Sequence, residues 1–291
     1  MNRSLGVLLA AAALVFATSA VAGAVNAPTR VTPGKRASSH AAAKHPGRRH
    51  RKPKTSTPAA KTTTAPSGPA GASPVHTNIT ATVFWVGEPV GNGSSANNAL
   101  SAYDDAWQAH FGGYDDYTVA RVPPTYANGL GFAPKENPFY LDLPYDDVNN
   151  KAAFADRASV VPWAGTAAGA ACIAQGHACS LMKNHWVKLW RTVGGVTVTA
   201  YGQIEDAGPY VYDDEAYVFG KGDARPRSKQ ARNAGLDVSP ALRDALRFTG
   251  TSLADQQNGD SNTVSWQFVD ASQVPAGPWK RIVTTRQVYQ P

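Results

Sequence analysis

Short apolar stretches separated by polar turn residues dominate the chain from Asn78 onward, and this pattern predicts a mainly β domain. The clearest strand spans residues 196–204, where small and apolar residues occupy one face and Thr, Tyr and Gln the other. Further strands are predicted at residues 79–86, 138–143, 185–191, 263–270 and 279–285. About six strands with one or two short helices indicate a small closed barrel.

One helix is clearly marked, just after residue 238. Ser239 can cap its N-terminus, Pro240 suits its first turn, and Gly250 follows its predicted end. The apolar face of this helix is formed by Leu242, Ala245 and Leu246. No internal repeat of solenoid length is found in the sequence, so a repeat architecture is not expected.

The first 22 residues carry the pattern of a secretory signal. Arg3 precedes an apolar run at residues 5–16, and Ala20-Val21-Ala22 fits the small-x-small cleavage pattern. Because the run is shorter than the about 20 apolar residues of a transmembrane helix, a cleaved signal is favoured over an uncleaved membrane anchor. We therefore expect a protein that is secreted, extracellular or associated with the cell wall.

Residues 23–77 form a basic Ala/Pro/Thr-rich segment with ten Lys or Arg residues and no acidic or aromatic residue. Such a composition cannot bury enough apolar surface to offset the entropy of ordering, so a disordered tail is predicted. Two roles stay open for it. It is either a solvated spacer or a polycation attracted to anionic wall polymers or a membrane surface.

The net charge of +7 belongs to this tail and not to the predicted domain. Removing the ten tail residues and Arg3 from the 28 basic residues leaves 17, against all 21 acidic residues. The predicted domain at residues 78–291 is therefore formally acidic. Since nucleic-acid binding needs positive charge on a folded face, no nucleic-acid partner is expected.

The chain has two cysteines, Cys172 and Cys179, with six residues between them in a segment that is predicted to be a loop. In an oxidising compartment a close isolated pair is most simply a disulfide. The alternative is a metal site that also uses His177 and His185, but the spacing matches no standard zinc pattern. We expect the disulfide, with no metal and no cofactor.

Two acidic motifs stand out within the predicted barrel. Asp206 lies in Glu-Asp-Ala-Gly-Pro directly after the strand that ends at residue 204, and Asp237 lies in Leu-Asp-Val-Ser-Pro-Ala before the helix. Either aspartate alone has a structural explanation, because Asp206 could accept turn hydrogen bonds and Asp237 could help to satisfy free N–H groups at the helix start.

Together the two motifs resemble the double-psi beta-barrel of rare lipoprotein A, a peptidoglycan lytic transglycosylase. They are also similar to the N-terminal barrel of expansins and to the small-barrel endoglucanases. The resemblance covers about residues 80–283, with residues 81–85 similar to the first barrel strand, 139–146 to the second and 186–190 to the third. It implies a six-stranded double-psi beta-barrel and a monomer that acts on peptidoglycan or a cellulose-like glycan.

The resemblance also implies a site. Asp237 corresponds to the acid of the catalytic or glycan-contacting site and Asp206 to the second acid beside it. Thr82, with Phe84 or Trp85 in the place of the usual Tyr, would line the same groove. Converging carboxylates raise the pKa of one member, as a proton donor to a glycosidic oxygen requires. Sugar-stacking candidates, each with core packing as the alternative, are Trp107, Trp163, Tyr210, Tyr212 and Tyr217.

The chain departs from the family pattern in several places. The endoglucanases have a second carboxylate at the end of the first strand, where the nearest acid here is Glu88. An insertion at about residues 148–182, predicted as a long loop, has no counterpart in the minimal barrel. From the sequence we expect neither the lipid-attachment cysteine of rare lipoprotein A nor the sugar-binding second domain of expansins. Three functions therefore stay open: lytic-transglycosylase-like cleavage, a non-catalytic expansin-like binding or wall-loosening module, and an inhibitor or interaction protein.

Overall fold

Six strands close into a barrel in the computed structural model, which describes residues 73–90, 97–126, 129–230, 232–250 and 262–291. The strands are β1 His76–Val83, β2 Tyr140–Leu143, β3 Trp186–Val193, β4 Val196–Ala207, β5 Leu236–Val238 and β6 Thr263–Val269. Their order around the barrel is β1-β5-β2-β4-β3-β6. The predicted fold class, a mainly β closed barrel of six strands, is thereby confirmed.

Five short α-helices accompany the barrel within the described residues. They are α1 Trp107–Phe111, α2 Lys151–Val160, α3 Ala167–Ala174, α4 Glu215–Val218 and α5 Pro240–Ala245. Helix α5 begins as predicted, because the Ser239 hydroxyl accepts a hydrogen bond from the Leu242 amide at 3.2 Å. The helix ends at Ala245, five residues before Gly250.

The strand pairing is mixed, and this brings the two acidic motifs to neighbouring strands. β1 pairs parallel with β5 and places Thr82 opposite Asp237. β2 pairs parallel with β4 and places Asp142 opposite Asp206. β5 and β2 are joined by an antiparallel pairing of Val238 with Leu141. The strand ends that carry the acids therefore lie side by side.

The barrel interior is filled by apolar side chains from all six strands. Its largest members include Ile79, Leu141, Leu189, Ile204, Leu236 and Trp266, all with no exposed surface. The backbone of Gly202 on β4 approaches β2 closely, since a Cβ atom at this position would lie 2.8 Å from the Phe139 carbonyl oxygen. Packing at this density leaves the barrel ends as the places where polar groups collect.

Four of the predicted strands are present with shifted bounds, in addition to β4. The first begins at His76, two residues before the predicted start of the domain, and β4 continues past Ile204 to include Asp206. The strand predicted at residues 279–285 is wrong, because this segment contains the 3-10 helix Pro278–Lys280 and no strand. Side chains instead form hydrogen bonds with the backbone of this segment. The Gln203 side chain accepts a hydrogen bond from the Thr284 amide at 3.0 Å and donates one to the Thr284 carbonyl at 3.0 Å.

The insertion at residues 148–182 is helical, which corrects the prediction of a long loop. Asn150 accepts hydrogen bonds from two amides at the start of α2, and Thr166 does the same for one amide of α3. Both helices are rich in Ala and lack a regular apolar stripe, so hydrophobic periodicity gave no signal. The two caps are the signals from which these helices could have been predicted.

The predicted disulfide between Cys172 and Cys179 is present and joins α3 to the segment that follows it. The two histidines of the alternative metal site have other contacts. His177 bonds through Nδ1 to the Val148 carbonyl at 2.7 Å, and His185 stacks on Trp163 at 3.7 Å between ring centroids. The metal alternative for these four residues is therefore not formed.

The predicted signal sequence at 1–22 and nearly all of the basic tail at 23–77 lie outside the described residues. Both stay predictions. Among the described residues no helix is long and apolar enough to cross a membrane.

Candidate functional site

Three aspartates meet on three adjacent strands at one end of the barrel. Asp237 lies on β5, Asp142 on β2 and Asp206 on β4, and these strands are consecutive in the barrel order. The backbone amide of Asp237 donates a hydrogen bond to Oδ1 of Asp142 at 2.8 Å. The site thus contains both predicted acids and a third that the sequence analysis missed.

Asp237 is the least buried of the three aspartates, because it is partly exposed whereas Asp142 and Asp206 are buried. The hydroxyl of Thr82 donates a hydrogen bond to Oδ1 of Asp237. This contact follows from the parallel register of β1 and β5. Thr82 therefore lies at the site, as expected, but is itself only 4% exposed and acts on Asp237 instead of offering surface to a ligand.

Asp142 contacts the backbone of Asp237 and has 3% of its surface exposed. Its carboxyl also contacts Gly208, where an added Cβ atom would lie 2.6 Å from Oδ2 of Asp142. The glycine of the Asp-x-Gly-Pro motif is needed for this close approach. A signal for Asp142 was available in the sequence: an acid between two leucines in a strand that is otherwise apolar.

Asp206 is held by backbone amides. Its Oδ1 atom accepts hydrogen bonds from the amides of Ala102 at 2.7 Å and Ala207 at 2.8 Å. It is 9% exposed. These bonds agree with the structural role considered for Asp206, in which its carboxyl accepts turn hydrogen bonds. The charge of Asp206 nevertheless affects the site, because it contributes to the raised pKa of Asp237.

The three carboxyls have raised pKa values, for which burial is the largest cause. Burial, followed by the charges of Glu88 and Asp206, raises the pKa of Asp237 to about 8. Burial raises the pKa of Asp206 to about 7, and burial together with the charge of Asp237 raises that of Asp142 well above its ordinary value. At neutral pH the cluster therefore retains protons, which ordinary surface carboxyls do not.

Glu88 enters the site from the segment after β1. Its side chain is 2% exposed and Oε2 accepts a hydrogen bond from Asn98 at 3.1 Å. Of the charges acting on Asp237, that of Glu88 has the largest effect on the pKa. Glu88, which sequence analysis noted only as the acid nearest to the first strand, is thus an electrostatic neighbour of Asp237.

Two exposed tyrosines lie beside the acids. Tyr210 and Tyr212 follow Pro209 and are 39% and 38% exposed. Burial and then the charge of Asp237 raise the pKa of Tyr210. Tyr210 has a φ of 58°, in the left-handed region that few non-glycine residues adopt. Both rings are available to a ligand.

Phe84 and Trp85, expected to line the groove, are packed inside the protein. Phe84 is 5% exposed and packs edge-on against Tyr140 at 5.3 Å, and Trp85 has no exposed surface and stacks on Tyr117 at 4.1 Å. Of the sugar-stacking candidates, Trp107 and Tyr217 are also buried and Trp163 is covered by His185. Core packing, the alternative noted for the sugar-stacking candidates, describes Trp107, Trp163 and Tyr217, and the expectation that Phe84 and Trp85 line the groove is wrong.

A buried ion pair supports β4 next to Asp206. The Lys183 ammonium lies 2.7 Å from Oε2 of Glu205, and both side chains are at most 1% exposed. Burial raises the pKa of Glu205, and the ammonium opposes this rise. The same ammonium also lowers the pKa of Asp206, though by less than burial raises it.

The raised carboxyl pKa values predict that the protein loses stability as pH rises from 6.5 to 8. In this range the folded state holds protons on Asp206 and Asp237 that the unfolded chain has released, so the free energy of unfolding falls with pH. Each such proton contributes a slope of about 1.4 kcal/mol per pH unit. His76, which is buried, and the partly buried His185 have lowered pKa values and act oppositely, but only below about pH 6.5.

Urea unfolding of the wild type and of Asp206→Asn at several pH values measures this slope. We expect a shallower fall for the variant, since the amide releases no proton. Equal slopes in both proteins would show that Asp206 is ionised in the folded state throughout the range.

The described residues contain no group of three or more His, Cys, Asp or Glu side chains arranged to hold a metal ion. Comparisons of the chain with protein-family models, curated proteins and solved structures found no match. The geometry of the acid cluster and the resemblance of the two acidic motifs are therefore the evidence for what this site does.

Proposed function

We propose that this protein is exported and cleaves or remodels a cell-wall polysaccharide by lytic-transglycosylase-like chemistry, with Asp237 as the proton donor. The supporting observation is that Asp237 is the least buried of four neighbouring acids, and that burial and the charges of Glu88 and Asp206 raise its pKa to about 8. A general acid for a glycosidic oxygen needs such a carboxyl, protonated near neutral pH and open to a ligand.

In the proposed reaction the proton of Asp237 goes to the glycosidic oxygen as the bond from that oxygen to the anomeric carbon breaks. A hydroxyl of the same sugar then attacks the anomeric carbon and closes a ring, and its proton returns to the Asp237 carboxylate. The products are an anhydro-sugar end and a free hydroxyl on the leaving sugar. The enzyme ends in its starting protonation state, and no water is consumed.

The burial of the neighbouring acids favours this route over inverting hydrolysis. Hydrolysis of that kind needs a second carboxylate that can reach a water on the far side of the sugar. Asp142, Glu88 and Asp206 are 3%, 2% and 9% exposed. Each is better placed to influence Asp237 than to activate a water.

A non-catalytic binding or wall-loosening module is the second candidate, and the tyrosines favour it. The exposed rings of Tyr210 and Tyr212 offer apolar faces on which sugars can stack, and such binding requires no proton transfer. In this case the acids would only contribute hydrogen bonds to the glycan.

Product analysis distinguishes these candidates. Purified wall material is incubated with the secreted chain, and the soluble fragments are examined by mass spectrometry. Anhydro-sugar ends are expected, whereas reducing ends would indicate hydrolysis instead. Absence of fragments together with retention of the protein on the insoluble wall would support the binding module. Absence of both fragments and retention would favour an interaction protein.

A further inference from the structure

The role of Asp142 goes beyond the proposed function and rests on it. This residue is 3% exposed and accepts a hydrogen bond from the backbone amide of Asp237, so it has little surface of its own to offer to a glycan. The sequence motifs that suggested a site do not include Asp142. Its position therefore calls for a role exerted through Asp237.

Three contacts fix the position of Asp142. Its Oδ1 atom accepts the Asp237 backbone amide at 2.8 Å, and its Oδ2 atom lies against Gly208. A side-chain hydrogen bond between Asp142 and Asp237 contributes to the raised pKa of Asp142 and opposes the rise in the pKa of Asp237. A hydrogen bond between two carboxyls needs a proton on one of them, because an ionised carboxylate can only accept.

Burial decides which carboxyl carries that proton. Asp142 is the more deeply buried, and the groups that face it are the carboxyls of Asp237 and Asp206, both of which disfavour its ionised form. Asp237 is partly exposed and also accepts the Thr82 hydroxyl, which favours its ionised form. The charges of Glu88 and Asp206 oppose that ionisation. Asp142 is therefore the hydrogen-bond donor and Asp237 the acceptor.

We propose that Asp142 is a positioning residue that stays neutral and donates a hydrogen bond to Asp237, stabilising the carboxylate that forms when Asp237 gives up its proton. With the Thr82 hydroxyl, Asp237 would then have two donors on its carboxylate. Without Asp142 the same carboxylate would form with one donor in a site that contains several other acids. The proton on Asp142 is not transferred and only orients and stabilises its neighbour.

Two replacements of Asp142 with opposite expected results test this role. In Asp142→Asn the amide nitrogen can replace the donor and the amide oxygen can still accept the Asp237 backbone amide. In Asp142→Leu no donor remains. We expect the pKa of Asp237 to stay within about half a pH unit in Asp142→Asn and to rise by one pH unit or more in Asp142→Leu.

The pKa of Asp237 is measured without glycan, from the infrared band of the neutral carboxyl, assigned by its loss in Asp237→Asn. Asp105→Asn, a replacement of an exposed aspartate, is the matched control and should leave the Asp237 band unchanged. If Asp142→Asn lowers the pKa of Asp237 by more than one pH unit, Asp142 is a negative charge in the wild type and the proposal is wrong. An unchanged pKa in a folded Asp142→Leu variant would equally overturn it.

The wild-type spectrum provides a test that needs no Asp142 variant to fold. At pH 7 in the wild type, a neutral carboxyl band should remain beyond those removed in Asp237→Asn, Asp206→Asn and Glu205→Gln, since the pKa of Glu205 is also raised, and its absence would contradict the proposal. If walls are cleaved, the turnover rate of Asp142→Asn should stay within a factor of about three of wild type, while Asp142→Leu loses about tenfold or more with KM little changed. Should no cleavage be found, the infrared result still decides the role of Asp142.

Discussion

Replacement of Asp237 by Asn is expected to abolish glycan cleavage and to leave the fold nearly intact. An amide cannot protonate the leaving oxygen, and general acid catalysis contributes about 100-fold to 10,000-fold in rate. The amide oxygen can still accept the Thr82 hydroxyl, and the backbone amide can still donate to Asp142. The loss should therefore be one of turnover and not of structure.

The measurement is the yield of anhydro-sugar ends from purified walls, alongside the amount of protein retained on the insoluble fraction. Asp237→Asn should keep wall retention while its cleavage is lost, and Asp206→Asn should be the milder change, since Asp206 is held by backbone amides and acts on Asp237 through its charge. Asp105→Asn serves as the control for a lost surface charge. Wild-type cleavage by Asp237→Asn would refute the assignment of the proton donor.

Replacement of Lys183 by Met is expected to cause the largest loss of stability. The Lys183 ammonium lies 2.7 Å from the Glu205 carboxylate, with both side chains out of contact with water. Removing one partner of a buried ion pair leaves the other charge buried without compensation, which costs about 3 to 5 kcal/mol. Met has a similar length and no polar atom to replace the contact.

The double variant Lys183→Met/Glu205→Leu separates this cost from a general loss of packing. A buried pair exchanged for apolar side chains of similar volume is often neutral in stability, so the double variant should recover most of the loss. Urea unfolding of the wild type, the single variant and the double variant gives the three free energies. Equal destabilisation in the single and double variants would mean that packing, and not the unpaired charge, is responsible.

The pH dependence of the single variant gives a further check on the cause. Without Lys183 the pKa of Glu205 should rise further, because the ammonium no longer opposes the effect of burial. The folded state then retains this proton up to a higher pH than the unfolded chain does. The stability deficit of Lys183→Met should accordingly be smaller at pH 5 than at pH 8.

The sequence by itself determined the class of the fold and most of its strands. Alternation of apolar and polar residues is a local property, and each of the strands it predicted in the barrel could be located without knowledge of its partners. The cap of α5 was equally local, since Ser239 and Pro240 are adjacent to the helix they begin. The strand β5 Leu236–Val238 was not predicted, because three residues are too few to show a period.

The pairing of the strands was decided only by the tertiary structure. Asp142, Asp206 and Asp237 are far apart in the chain and meet because β2, β4 and β5 are neighbours in the barrel. The depth at which each carboxyl lies, and hence its pKa, follows from this meeting. The positions of Phe84 and Trp85 were likewise decided by the tertiary structure. From the sequence alone, an aromatic side chain after a strand can either line a groove or pack in the core, and both of these pack in the core.

Residues 279–285 show most directly why a local pattern does not by itself decide whether a segment forms a strand. Their apolar pattern is that of a strand, but a strand needs a neighbouring strand edge to accept and donate its backbone hydrogen bonds. The side chains of Asn137 and Gln203 provide those bonds instead, from positions about 80 to 140 residues earlier in the chain. Local patterns thus determined which segments could form strands, and long-range hydrogen bonding and burial decided which of them did and which acids came to share a site.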